Sequence, residues 1–533
     1  MTKKSRRNGH RNRSRLLLIA LCSLLVFGVG CASVNRYSDA SSLSGGQVSF
    51  FLKVPERIST DLTVELSAVN IMAEDGTFLE VMNAPLSIRS SEVAGRQVLL
   101  GEKALPEGRY KKLQLIVRQA LVNRKDGAAH LALPPEGIET AIDIAVKRNQ
   151  NTALFLKWNP DASVGDGYLF SPAFDVRGQT PELSSLLIYV TNEDSDNVSV
   201  INRQTGEVVA MIMVGRKPRG VAVSQSKERQ RVYVANSGSN SISVIDPTNN
   251  RVEVEIPIRF GKEPEGIAVA RVAPDKEFIF VTNYGSNTVS IIDASTYQEF
   301  DRANVGDGPI AIVADPSVDT ISSSRFLSMS DMNTIRNYRR NYYNVYVANK
   351  NSRDVSILKM DRASGRPEEV ITLNVQWSPI ALTVDYPRGK VYVANYGYDN
   401  LSLIDIIQVI GGNKSGAVSE TSNVGASLTG VISDPDFDRL YLLKEFSGEI
   451  LMLRPFSEAS SALKTSLSPV IGTISVGSQP RSFLMDPEGR KIYVVNRGSD
   501  SVSVVDKTTK REEKVIPVGR RPYGIAMFPE KPE

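Results

Sequence analysis

The stretch Val518–Glu533, "VGRRPYGIAMFPEKPE", decides how the rest of the chain is read. Its counterpart at Val214–Asn236, "VGRKPRGVAVSQSKERQRVYVAN", runs from a turn through a short apolar strand and straight into a second strand. At Val518 the turn and the first strand are present, as far as Phe528, and no second strand follows. The second-strand phrase itself recurs upstream as "IYVTN", "VYVAN", "IFVTN", "VYVAN", "VYVAN", "LYLLK" and "IYVVN". Its aromatic positions are Tyr189, Tyr233, Phe280, Tyr346, Tyr392, Tyr441 and Tyr493, spaced 44, 47, 66, 46, 49 and 52 residues apart. After each comes a β-branched run such as "VSVIN", "ISVID" or "VSIID". Before most stands a turn and strand such as "KPRGVAVS", "EPEGIAVA" or "SPIALTVD". This is period-two patterning punctuated by Gly, Pro and Asn. Four short strands in a unit of about 45 residues is the signature of a propeller blade.

The repeated phrase resembles that of the YVTN-repeat family of β-propellers, over residues 187–529. Six of the seven copies keep the Asn, and Lys444 is the departure. With strands A to D counted from the centre of a blade outward, the first copy begins at strand B and the phrase at Tyr523–Phe528 is a strand A. Joining the two completes one blade. The expectation is an all-β, seven-bladed β-propeller over 187–529, closed by pairing of the C-terminal strand with the first blade, which leaves no open edge.

Residues 47–162 read differently. Alternating strands ("QVSFFLKV", "LTVELSAVNIMA", "KLQLIVRQALV", "TALFLKW") predict a compact β-sandwich. It resembles a domain of unknown function found near the start of bacterial lipoproteins. Residues 163–186 read as a linker.

Residues 1–30 read as a signal peptide: seven basic residues and no acid precede an apolar run from Leu16 to Val29. "FGVGC" resembles a lipobox, with Gly28 where that pattern usually has Leu or Val. Cys31 is then the lipidated residue, 31–46 a flexible tether, and the membrane a partner through the lipid. Ala32 after the cysteine favours, by resemblance to lipoprotein sorting, the outer membrane of a bacterial envelope.

The chain has 63 basic and 59 acidic residues, and without the leader's seven basics the balance is 56 against 59. The apparent basicity belongs to the leader and gives no argument for nucleic acid. Without Cys22 and His10, and with Cys31 lipidated, only His130 remains of the thiols and imidazoles. Thiolate metal sites, haem attachment through cysteine and Ser-His-Asp triads are thereby excluded. No cofactor or metal is expected. Two acidic groups, Asn192–Asn197 and Asp434, Asp436 and Asp438, fit β-turns as well as an oxygen-ligand calcium site.

Seven copies of one unit permit an internal comparison. Positions repeated in every copy serve the blade, and positions that vary are free for a ligand. The repeated Asn reads as a turn-former bonding nearby backbone, and Tyr and Val as core. D–A and B–C loops form one face, the top. The residue after the strand-A proline stands there in each blade: Tyr523, Arg219, Glu265, Ile310, Ile380, Thr429 and Arg481 in blades one to seven. Arg520, Arg521, Arg216, Lys217 and Arg497 add a basic sector, and Trp377 with Tyr396 and Tyr398 an aromatic one. Arg recognises carboxylate and phosphate through its planar fork of donors. The bland alternative is a wet rim whose charges pair with one another. On the bottom face lie three insertions, near 316–343, 408–420 and 455–468, expected to pack against the sandwich.

The expected function is that of an envelope-anchored binding or scaffold lipoprotein, not an enzyme, whose top face takes an anionic small molecule or a protein partner. The alternatives are a lactonase-like propeller hydrolase and a purely structural cell-surface protein.

Overall fold

The computed structural model describes residues 45–529 apart from 83–84, 135–136, 227, 317–323, 325, 422–423 and 456–469. The expected signal peptide, Cys31, most of the tether and the insertion near 455–468 lie outside the described residues.

From Leu187 on, among the described residues, the chain builds seven four-stranded antiparallel sheets. Six of them take their strands in simple sequence order. The remaining one, sheet one here, combines Leu187–Asn192, Asn197–Asn202 and Glu207–Met213 with the C-terminal strand Pro522–Met527. Ile188 faces Met527, Tyr189 faces Ala526 and Val190 faces Ile525 across this join. Phe528 is 2% exposed and meets the buried Tyr189 ring edge-on at 6.2 Å, an aromatic seal worth about 1.5–3 kcal/mol in buried area alone. The inner strands of sheets one to seven are Pro522–Met527, Pro218–Val223, Pro264–Ala273, Pro309–Ala314, Pro379–Asp385, Leu428–Asp434 and Pro480–Met485. Each touches the next, and the seventh touches the first. This all-β arrangement is that of a β-propeller.

The repeated Tyr and Val residues are core, as their periodicity requires: Tyr189, Tyr233, Phe280, Tyr346, Tyr392, Tyr441 and Tyr493 are all buried between neighbouring sheets. The repeated Asn, however, is not a turn-former. It is buried on strand B and donates to side chains five and seven residues on, on strand C. Asn236 donates to Ser241 (3.2 Å) and Ser243 (2.8 Å), and Asn496 to Ser501 (3.3 Å) and Ser503 (2.7 Å). Asn192, Asn283, Asn349 and Asn395 repeat the pattern. The physical reason is burial: a carboxamide sealed between strands satisfies its N–H groups on the facing strand, not on solvent-side backbone. Sheet six, which lacks the Asn, changes the whole network. Lys444 reaches Glu449 at 3.3 Å, and Leu451 stands where the others have Ser.

The N-terminal residues form two large sheets, and a two-stranded one from Val164–Gly165 and Leu169–Phe170, around one apolar core. Gly45–Lys53 lies between Gln97–Pro106 (antiparallel) and Asn151–Asn159 (parallel), and Ala173–Gly178 completes this sheet. The second is built on the long pair Asp61–Ala73 and Gly108–Arg124. The expected linker therefore contains a strand. Ala173–Gly178 pairs with Asn151–Asn159, and Phe174 and Val176 pack on the core, a short alternation hidden among Pro and Gly.

The first of these sheets is buried on both faces. Val48, Phe50 and Leu52 point into the N-terminal core, while Phe51, Ala153, Leu99 and Phe155 pack on Val208 and Met211 of sheet one and Ile516 of sheet seven. Among the described residues, the insertions of sheets four and five are not part of this contact. Helix α1 (Met329–Asn341) buries Met332 and Ile335 and packs against helix α2 (Ile406–Ile410), so the insertions of sheets four and five brace each other. The expected packing of these two on the N-terminal unit is corrected: their apolar stripes match each other, and that unit covers outer strands on another side.

Candidate functional site

In all seven sheets the residue after the first position of the inner strand is skipped by the pairing with strand B. Pro218 faces Asn236 and the next pair is Val221 with Val234, so Arg219 lies in a bulge. The same interruption frees Tyr523, Glu265, Ile310, Ile380, Thr429 and Arg481. Bulges re-aim side chains; here one residue per sheet is turned toward the mouth of the ring.

Two backbone devices hold these bulges. The residue before each inner strand is left-handed in every sheet: Lys217, Glu263, Gly308, Ser378, Ser427, Gln479 and Arg521, with φ between 48° and 65°. Its carbonyl accepts from the N–H of the residue after the strand-B Asn or Lys444, as Lys217 does from Ser237 (3.0 Å) and Arg521 from Glu193 (3.1 Å). In four junctions its N–H donates to an Asp or Asn of the preceding sheet: Lys217 to Asp196, Glu263 to Asn240, Gly308 to Asn287 and Arg521 to Asp500. The left-handed conformation, strained at the six positions other than Gly308, is sustained by these clips. They also define a second ring of variable positions: Glu193, Ser237, Tyr284, Lys350, Tyr396, Glu445 and Arg497.

The two rings meet around Tyr523. Arg219 donates from Nε (3.0 Å) and Nη2 (2.8 Å) to one oxygen of Glu193, and pairs with Glu265. Arg497 pairs with the other oxygen of Glu193. Arg481 donates from Nη2 to the Tyr523 hydroxyl at 2.6 Å, and that hydroxyl donates to Glu265 Oε2 at 3.1 Å. The guanidinium carbons of Arg481, Arg219 and Arg497 lie 4.4, 5.5 and 5.7 Å from the Tyr523 ring centre. Glu193 is 5% and Glu265 3% exposed. Burial pushes the Glu193 carboxyl up, but Arg219 and Arg497 outweigh it and hold it below the usual carboxylate range. Three guanidiniums thus face two carboxylates. Among the described residues no carboxylate pairs with Arg481.

The structure therefore gathers Arg219, Arg481, Arg497, Glu265 and Tyr523 into one constellation. Glu193 was missed as a mouth residue because its turn reads as an acidic cluster. The internal comparison that picks out Arg497 picks out Glu193 too, since both occupy one repeat position. The other basic residues stand apart. Arg520 Nη2 donates to the Asp194 carbonyl at 2.9 Å, Arg521 lies 3.7 Å from Asp194, and Arg216 Nη2 donates to the Gly238 carbonyl at 3.1 Å. Lys217 and Arg521 hold left-handed turn positions. Trp377 is 47% exposed in the turn leading to sheet five, with Arg353 over its ring. Tyr396 donates to Glu445 at 2.6 Å, and burial with that carboxylate pushes its hydroxyl up to about 12.

Both acidic clusters are tied to protein partners. Asp196 accepts from Lys217, Asp434 pairs with Lys507 and Asp438 with Arg388. In the N-terminal core a small cavity of about 20 Å³ is lined by Leu52, Leu66, Trp158, Phe170 and other apolar side chains. It has no polar group to orient a ligand.

Comparisons with known proteins follow the fold. No protein-family model matches the chain. An uncharacterised Bacillus subtilis protein, YwhL, is 26% identical over 316 residues, which is 56% of this chain and 64% of that protein's length. Among solved structures, a functionally unknown protein from Desulfotomaculum acetoxidans aligns over 65% of this chain and all of its own, with a TM-score of 0.50 and 11% identity. Hydrazine synthase of Kuenenia stuttgartiensis aligns over 61% of this chain and 93% of its own (TM-score 0.47, 18% identity). A protein titled a putative 6-phosphogluconolactonase of Bacteroides fragilis covers 65% and 99% (TM-score 0.45, 14% identity).

Proposed function

We propose that this chain is a binding protein whose ring mouth takes an anionic small molecule or the acidic group of a protein partner. The carrying observation is the charge inventory around Tyr523: three arginines, two glutamates, and an Arg481 whose fork has one neutral partner. In this reading the seven sheets are the blades of a closed propeller of the YVTN type, and the N-terminal pair of sheets is a β-sandwich that holds the ring away from its anchor. Lipidation of Cys31 would place the molecule at a bacterial envelope, in the outer membrane.

A binding role is favoured over hydrolysis by the state of the two carboxylates. Each is buried against guanidinium, and Glu193 is held ionised below the pH at which a general base is useful.

The test is thermal unfolding and calorimetry of wild type and Arg481→Gln with acetate, phosphate and succinate, beside turnover assays on a panel of lactones. Anion-dependent stabilisation in wild type that is absent from Arg481→Gln supports the reading. Lactone turnover abolished by Glu265→Ala would replace it with the hydrolase.

A further inference from the structure

We infer that the ligand of the mouth is an organic monocarboxylate with an apolar body, an inference that rests on the binding reading above.

Charge sets the number of negative groups. Around Tyr523, Glu193 and Glu265 together offset two of the three guanidiniums through ion pairs, Glu193 with Arg219 and Arg497 and Glu265 with Arg219. One anionic group neutralises the remainder. A second would stand unpaired beside the two glutamates, in a partly dry environment where unpaired charge is costly.

Geometry sets where that group goes. Arg481 is only partly buried and uses Nη2 for the Tyr523 hydroxyl. Among the described residues its other guanidinium N–H groups make no hydrogen bond. Its plane is already steadied by the tyrosine ring at 4.4 Å. A planar fork held by one edge presents the other for a carboxylate, which matches it with two parallel bonds.

The opposite side of the ring sets the rest of the molecule. The bulge that aims Arg481, Tyr523, Arg219 and Glu265 inward carries Ile310 in sheet four and Ile380 in sheet five. Thr429, in sheet six, donates its hydroxyl to the Pro480 carbonyl at 2.9 Å and is 2% exposed; Ile380 is 8% exposed, so Ile310 is the more open of the two isoleucines. On the bulge ring one arc is thus charged and the other apolar; on the second ring the latter arc carries Lys350, Tyr396 and Glu445, with the Tyr396 hydroxyl bonded to Glu445. A ligand that satisfies both arcs has a carboxylate at one end and hydrocarbon at the other. Each methylene buried on the isoleucines strengthens binding about fourfold.

The experiment is calorimetric titration of wild type, Arg481→Gln and Ile380→Ser with acetate, butyrate and hexanoate, and with succinate, inorganic phosphate and hexanol as controls. The expected result is affinity rising about tenfold or more from acetate to butyrate and again to hexanoate. Hexanol should not bind, Arg481→Gln should lose the whole series, and Ile380→Ser should flatten its slope. The wild-type chain-length series stands without either variant. Equal affinity along the series, or succinate or phosphate binding as tightly as hexanoate, overturns this inference and leaves an anion site. Absence of binding by every anion overturns the binding reading itself.

Discussion

Among the described residues, a buried carboxyl group next to sheet four makes no ion pair, although Arg339 and Arg362 act on it through space. Asp315 is 3% exposed; its Oδ2 accepts from the Asn344 N–H at 2.8 Å, and its Oδ1 has no partner. Arg339 is equally buried, bonds the Pro316 carbonyl, and leaves Nε and Nη1 unpartnered. Burial pushes the Asp315 carboxyl up to about 6, against the opposing pull of Arg339 and hydrogen bonds from its neighbours. A carboxyl raised in the folded state binds its proton more tightly there than in the unfolded chain. Its contribution to stability is therefore fully present below about pH 4 and is lost as pH rises through about 6. Asp315→Asn removes that term. Its melting temperature relative to wild type should rise by about 1–2 degrees between pH 5 and pH 8, read from paired thermal scans; a difference independent of pH would refute the assignment. None of this was legible in the sequence. Asp315 ends a repeat strand like any other turn residue, and only the insertion folding back as α1 seals it from water.

At the scale of elements, the outer edges of the sheets are the exposed liability. Several outer strands carry charges, as in Arg251–Pro257 and Arg511–Pro517. The outer strand of sheet one, Glu207–Met213, is nearly all apolar, and the N-terminal unit covers it. Gln97 acts there as a surrogate strand: its Nε2 donates to the Val208 carbonyl at 3.1 Å, and the Val208 N–H donates to its Oε1 at 2.8 Å. Gln179 Oε1 accepts from the Met211 N–H at 3.2 Å. Gln97→Ala should cost about 1–3 kcal/mol in urea unfolding, since it leaves a buried N–H and C=O unsatisfied. Amide exchange at Val208 should quicken with it, and unchanged protection there would count against this contact. The sequence did carry a signal for the covered sheet. In "QVSFFLKV" the consecutive apolar residues Phe50, Phe51 and Leu52 break the alternation, and consecutive apolar residues mark strands buried on both faces. Which surface lies against Phe51 is a matter of docking, invisible to local periodicity.

At the scale of the whole molecule, stability depends on the join between the two ends of the repeat. Deleting Pro522–Glu533 removes the inner strand of sheet one, exposes the edge of Leu187–Asn192, and takes Tyr523 from the mouth. The shortened chain should lose its cooperative melting transition and associate, followed by scanning calorimetry and size-exclusion chromatography. A truncated chain that melts as a monomer at the wild-type temperature would show that the join is dispensable.

The sequence by itself determined the repeat, its phase, the buried Tyr and Val positions, and which residues follow the inner-strand proline, because these depend on spacing within one unit of alternating strands. Only the tertiary structure decided that the repeated Asn bonds strand C, that the residues after 163 finish a sheet, and that two glutamates enclose the arginines of the mouth. Those outcomes depend on which surfaces exclude water together, and residues as far apart as Glu193 and Arg497 acquire their charge balance only when the ring brings them to one point.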